Sequence, residues 1–188
     1  MKIIVGVSAR HIHLDEDTKN ILFGSDYVLS KKCDLYQTGE YACNETVTIR
    51  SKDGEFNNVR VLGPLRKYNQ IEISKSDAFK LKINPPVRDS GDLIGSESLE
   101  VESSSNKVML NSCVIIPCRH IHINKGDAAV NNICSGDVVS IKKDGVKGGV
   151  LENVHIKVSD LYNNEIHIDT DDANAFLISN KEEMEVIL

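Results

Sequence analysis

The feature that most constrains this chain is a repeated segment. Ser8-Ala-Arg-His-Ile-His-Leu-Asp15 recurs as Pro117-Cys-Arg-His-Ile-His-Ile-Asn124. Each copy reads as a strand that ends in an apolar residue, then a helix-capping residue, then a short helical segment. Two weaker echoes keep the same plan. Gln70-Ile-Glu72-Ile-Ser74 precedes Ser76-Asp-Ala78, and Glu165-Ile-His167-Ile-Asp169 precedes Asp171-Asp-Ala173. His13, Glu72, His122 and His167 occupy the shared position. A chain of 188 residues is shorter than the roughly 200–250 that a (β/α)₈ barrel needs. It has room for one ordinary domain or two small ones, and a duplicated strand–cap–helix unit favours two.

The rest of the chain is consistent with a mainly β fold. Alternating segments run over Thr46–Arg50, Asn58–Leu62, Lys107–Leu110, Asp137–Ile141 and Asn153–Val158, separated by turn signals at Asp53-Gly54, Asp144-Gly145 and Gly148-Gly149. Short helices are expected over Asp15–Phe23, Ser76–Leu81, Asn124–Asn131 and Asp171–Leu177. Asn84–Gly95 and Glu97–Asn106 have loop composition. Many short strands with little helix point to small barrels or a sandwich.

The repeat also carries metal-ligand chemistry. In a strand, residues i and i+2 share a face and lie roughly 6.5–7 Å apart. His11 and His13 therefore aim at one point, as do His120 and His122, while Arg10 and Arg119 face the other way. Adding Glu72 and His167 gives six ligand-type side chains. They suffice for two three-ligand sites, His11/His13/Glu72 and His120/His122/His167, each with a position left open as a catalytic zinc requires. Spacing alone leaves the pairing open, and Glu72 and His167 also read as surface residues. His155 lies in an alternating strand without a partner. Cys118 reads as a metal neighbour, an acyl acceptor or a spectator thiol.

Composition removes several function classes. Lys and Arg number 22 against 28 Asp and Glu, a net charge of −6. That leaves no basic field for nucleic acid. No apolar run approaches a membrane span, and the N-terminal residues do not read as a secretory signal. Cys33, Cys43, Cys113, Cys118 and Cys134 are odd in number and form no Cys-x-x-Cys, as expected for free thiols in a reducing cytosol.

These residues resemble a known family. Val5-Gly-Val-Ser-Ala-Arg-His-Ile-His-Leu14, Val61-Leu-Gly-Pro-Leu-Arg-Lys67, Gln70–Phe79, Pro86-Val-Arg-Asp-Ser-Gly-Asp92, Cys118–His122 and His167–Ala175 follow the motifs of the propanediol-utilisation type phosphate propanoyltransferases (phosphotransacylases) in order and spacing. The resemblance spans essentially the whole chain. It implies reversible conversion of an acyl-CoA (acetyl or propanoyl) and inorganic phosphate into acyl phosphate and coenzyme A. It also implies two small β-barrels capped by short α-helices, two Zn2+ per chain between them, and a homodimer. The barrels would comprise 10–117, with a 24–44 excursion, and 1–9 plus 118–188. Matched motif by motif, His11, His13 and Glu72 would hold one metal, and His120, His122 and His167 the other. Arg66 would bind phosphate as the catalytic arginine, and Gln37 and Ser8 would line the substrate site. Pro117-Cys118 departs from the family pattern. Members that enter bacterial microcompartments carry an amphipathic N-terminal extension, and this N-terminus reads as a cytoplasmic form unless such an extension has been trimmed. The expected mechanism is direct attack of metal-bound phosphate on the thioester. The alternative is a dinuclear zinc hydrolase acting on a phosphoester or thioester.

Overall fold

A computed structural model describes residues 1–188. In chain order the elements are β1 (Lys2–Ser8), β2 (His11–His13), α1 (Glu16–Phe23), β3 (Lys31–Asp34), β4 (Tyr41–Arg50), β5 (Glu55–Gly63), β6 (Gln70–Glu72), α2 (Lys75–Leu81), β7 (Val87–Arg88), β8 (Glu97–Glu102), β9 (Lys107–Pro117), β10 (His120–Asn124), α3 (Lys125–Val130), β11 (Val138–Lys143), β12 (Gly149–Ser159), β13 (Glu165–Asp169), α4 (Thr170–Phe176) and β14 (Glu183–Ile187). They form two compact units. A terminal unit comprises Met1–Ala9, Tyr36–Thr38 and Cys118–Leu188, and a central unit comprises Arg10–Leu35 and Gly39–Pro117. No helix is long and apolar enough to cross a membrane.

The terminal unit is a closed six-strand barrel in the order β1-β13-β10-β12-β11-β14. In the central unit, β4-β5-β2-β6-β9 is closed by β8, which pairs with both β4 and β9. β3 extends this sheet beside β4, and β7 beside β9. The two barrels share one local plan. β2 lies between β5, which is parallel to it, and β6, which is antiparallel. β10 lies likewise between parallel β12 and antiparallel β13. Even the register repeats: His11 faces Glu72 and His13 faces Gln70, while His120 faces His167 and His122 faces Glu165.

Alternation explains how these short strands hold their place. Ile12 and Ile71 point into the central core with Val61, and Ile121 and Ile166 point into the terminal core with Ile156. Ile12 and Ile121 are fully buried, and each contributes on the order of 1.5–3 kcal/mol. A one-residue slip would drive a histidine into the barrel and an isoleucine out, so the core fixes which face carries the imidazoles.

The expected caps start all four helices. Asp15 accepts from the Thr18 N–H at 2.8 Å, and Asn124 from that of Gly126 at 2.9 Å. Asp169 accepts from Asp171 and Asp172. Ser74 and Asp77 form a reciprocal capping box.

One loop expectation fails and another is interrupted by a two-residue strand. Glu97–Glu102 is a strand, because Leu99 and Val101 alternate into the core; period two outweighs the Ser/Glu-rich composition of that stretch. Within 24–44, Lys31–Asp34 pairs with the start of β4. Val87–Arg88, inside the other expected loop, pairs with Ile116 and Pro117.

Candidate metal centres

In the central unit, β2 and β6 bring His11, His13 and Glu72 together. Their ligand-type atoms lie within 4.8 Å of one another, and all three residues are buried. The two imidazoles meet edge to face, with ring centroids 5.1 Å apart. Glu72 Oε1 accepts from Gln70 Nε2 at 2.6 Å, and Oε2 lies 3.5 Å from His11 Nε2. Gln70 is itself pinned, donating to Ser90 Oγ at 2.8 Å and accepting from the Gly91 N–H at 2.7 Å. Arg66 belongs to the same unit. Its backbone N–H donates to Leu14 O at 2.8 Å. Its guanidinium donates to Ser90 Oγ at 3.1 Å and to Glu40 Oε1 at 3.3 Å.

In the terminal unit, β10 and β13 bring His120, His122 and His167 within the same 4.8 Å limit. His120 and His167 stack in parallel, 4.9 Å apart. His122 stacks on Tyr162 at 4.1 Å. His120 Nδ1 lies 2.9 Å from Cys118 O. A carbonyl only accepts, so Nδ1 carries the proton, and in the neutral ring the lone pair lies on Nε2.

Burial sets the charge states. The His13 pKa is lowered well below its ordinary value, first by desolvation, then by His11 and Arg66. The His120 pKa is also lowered well below, first by desolvation, then by the charges of His167 and Lys157. These imidazoles are held neutral, as metal ligands must be. His13 Nδ1 is moreover a buried nitrogen without a hydrogen-bond partner. Two sets of clustered N,N,O and N,N,N donors, with a buried orphan nitrogen in the first, fit a zinc-type ion with one position open.

The residues expected at the site fall as follows. Strand spacing alone leaves the pairing open; the fold groups the six ligand types as His11/His13/Glu72 and His120/His122/His167, each within one unit. Ser8 ends β1 opposite Asp169. Gln37 is buried in the terminal unit, with both ends of its amide engaged. Nε2 donates to Glu165 Oε2 at 2.8 Å and to Asn163 O at 3.0 Å, and Oε1 accepts from the Asn163 N–H at 3.2 Å. His155 is not isolated, since it stands opposite His120 in the β10–β12 ladder. Its imidazole and the Cys118 thiol come within 4.8 Å.

Sequence reasoning missed Glu165. It is buried, and its Oε2 lies 3.1 Å from His167 Nε2. Burial pushes this carboxyl up, but His167 and Gln37 more than offset it, and the net shift is downward. Gly6, opposite His167 in the β1–β13 ladder, leaves the space that Glu165 fills: a Cβ there would lie 2.4 Å from Glu165 Oε1. The signal was present, since Glu165-Ile-His167 repeats the spacing of Gln70-Ile-Glu72. Tyr162 had no such signal.

Comparisons with known proteins place the chain in a family. A family described as phosphate propanoyltransferase matches residues 4–179. The phosphate propanoyltransferase of Thermotoga maritima is 43% identical over 178 residues, covering 94% of this chain and 85% of its own. That of Lachnoclostridium phytofermentans is 45% identical over 176 residues, with 93% and 82% covered. That of Rhodobacter capsulatus is 44% identical over 176 residues, with 94% and 82% covered. The matched stretch takes in both histidine clusters, Arg66 and all four capped helices, and on this footing the chain belongs to the phosphate propanoyltransferase family.

Proposed function

We propose that this chain moves an acyl group between a coenzyme A thioester and inorganic phosphate: acyl-CoA + phosphate ⇌ acyl phosphate + CoA. The observation that carries this reading is the pair of equivalent clusters, His11/His13/Glu72 and His120/His122/His167, in a member of this family. The relatives' name points to propanoyl as the first acyl group to test.

The reaction needs a phosphate oxygen held against the thioester carbonyl and stabilisation of the charge that develops on the carbonyl oxygen. In this reading each cluster would hold one zinc ion, which when bound would supply Lewis acidity and positive charge to an oxygen of the reacting groups. Arg66 presents a planar fork to phosphate oxygens. Glu40 and Ser90 aim it, and its backbone bond to Leu14 ties it to the strand end beside His13. Gln37 supports Glu165, and through it His167. Ser8 lines the site beside Asp169. The phosphate oxygen adds to the carbonyl carbon, the carbon–sulfur bond breaks, and the phosphate proton ends on the departing thiol. A thiolate is a good leaving group, so no strong general acid is required, and Cys118 is not needed as an acyl carrier.

The test is thiol release from acetyl-, propanoyl- and butanoyl-CoA, with and without phosphate, with zinc measured on the same sample. Phosphate-dependent release with matching acyl phosphate, and up to two zinc per chain, is the expected result. Release that ignores phosphate would mean a hydrolase. Full activity in metal-free protein would remove the zinc from the reading. Loss of activity in a folded, zinc-loaded Cys118→Ala variant would remove direct transfer.

A further inference from the structure

The arginine of the repeated Arg-His-Ile-His segment has no role in the chemistry above, yet both copies make the same long-range contact. Arg10 Nη2 donates to Asp77 Oδ1 at 2.7 Å. Arg119 Nε and Nη2 donate to the two carboxylate oxygens of Asp172 at 2.7 and 2.6 Å. Asp77 and Asp172 are equivalent positions. Each is the third residue of the helix that follows the strand carrying the third ligand-type residue, α2 after Glu72 and α4 after His167.

The ladder explains why the contact matters. The antiparallel pairing of β2 with β6 ends at the rung His11–Glu72, and that of β10 with β13 at the rung His120–His167. In both units the terminal rung is made of two members of the cluster. Within each antiparallel pair no rung follows this one, and the two strands are held there only from their outer sides, by β5 and β9 in the central unit and by β12 and β1 in the terminal unit. The arginine stands one residue before this rung on one strand. The aspartate stands in the first helical turn beyond it on the other. The ion pair thus bridges the open end of each ladder. Asp77 is buried and also accepts from the Ser74 N–H through Oδ2. The Arg119 backbone carbonyl accepts from the His155 N–H at 2.9 Å, and Arg119 Nη1 donates to Glu152 O at 2.9 Å.

We propose that Arg10 and Arg119 are positioning residues that lock the terminal rung of each cluster, fixing His11 against Glu72 and His120 against His167 for metal capture. This rests on the reading that the clusters bind zinc. The two locks are unequal. Arg119 holds Asp172 through both oxygens, whereas Arg10 holds Asp77 through one and lays its guanidinium 4.2 Å over the Phe56 ring. The Arg119 lock is therefore the tighter.

The test is zinc competition with a chelating dye, on full-length wild type and on Arg119→Met, Asp172→Asn, Arg10→Met and the Arg119→Met/Asp172→Asn double variant. Melting of the metal-free proteins is measured alongside. Groups bonded directly to a metal ligand change metal affinity by about 10–100-fold, and this lock acts one residue farther out, so the low end, about tenfold, is expected. Arg119→Met and Asp172→Asn should each weaken one of the two zinc ions by about that factor. The double variant should lose little more than the worse single, and Arg10→Met should weaken the other ion less. Metal-free melting should move little by comparison. Arg119→Lys keeps the charge but loses the fork; it covers the case of a misfolded Met variant and should recover only part of the affinity. Wild-type zinc affinity in the variants, additive losses in the double variant, or full recovery with lysine would each overturn the lock. Wild type that binds no zinc would overturn the proposed function as well, and so is told apart from failure of the lock alone.

Discussion

Gly6→Ala tests whether Glu165 is a fixed support of the terminal cluster. The added Cβ would stand 2.4 Å from Glu165 Oε1 and 2.9 Å from Cδ. A comfortable carbon–oxygen contact is about 3.3 Å, so the carboxylate must retreat by about 0.9 Å. Its other oxygen, Oε2, lies 2.8 Å from Gln37 Nε2, and a retreat of this size taken along that bond would carry it beyond hydrogen-bond reach. Losing a buried bond to a charged group costs about 1.5–3 kcal/mol. Replacing glycine inside a strand returns about 0.5–1 kcal/mol. The net loss is on the order of 1–2 kcal/mol, or about 2–8 °C in melting temperature for a chain of this size. His167 also loses the carboxylate beside its Nε2, so zinc affinity at that cluster should fall about tenfold or more. Thermal melting and zinc competition read both effects. Adding Glu165→Asp, which is one methylene shorter, should recover part of the melting loss. A Gly6→Ala protein that melts and binds zinc like wild type would refute the claim that Glu165 is pinned.

Two further outcomes follow from the charge states. His13 is held neutral when folded, so below its ordinary pKa of about 6.5 the unfolded chain binds the extra proton. Stability of metal-free protein should therefore fall as pH drops below that value, with His13 contributing up to about 1.4 kcal/mol per pH unit. Denaturant titrations between neutral and mildly acidic pH should show a shallower pH dependence in His13→Gln, and an identical one would contradict the assignment. Burial pushes the Cys43 thiol up to about 11 and the Cys113 thiol up to about 12. Iodoacetamide should label exposed Cys33 and Cys134 in native protein and spare these two, as peptide mass mapping would show; early labelling of Cys113 would disprove its burial.

Much of this was legible in the sequence because the informative signals are local. The strand period put His11 with His13, and His120 with His122, on one face. Asp15, Ser74, Asn124 and Asp169 announced their helices, since a capping side chain bonds a backbone group only two or three residues away. Period two also lay in Glu97–Glu102, but serines and glutamates masked it. The cluster partners are a different matter. That Glu72 faces His11, and His167 faces His120, depends on which strands become neighbours, and no local pattern encodes that. Gln37 and Glu165 meet across more than a hundred residues, and Arg119 and Asp172 across about fifty. Their side chains read as ordinary polar surface until the barrels close.

The pairing of β1 has a consequence for how the chain is made. β1 leaves the ribosome before the other strands described here, yet it pairs only with β13 and β14, which follow all of them. At about 5–20 residues per second, its partners arrive on the order of ten to forty seconds later. Almost all of the central unit is contiguous and can close as soon as β9 has emerged. Through that interval β1, with its buried-type residues Ile3 and Val5, is an unpaired apolar strand edge. The terminal cluster, which lies beside β1 through His167, is then the last part of the protein to form.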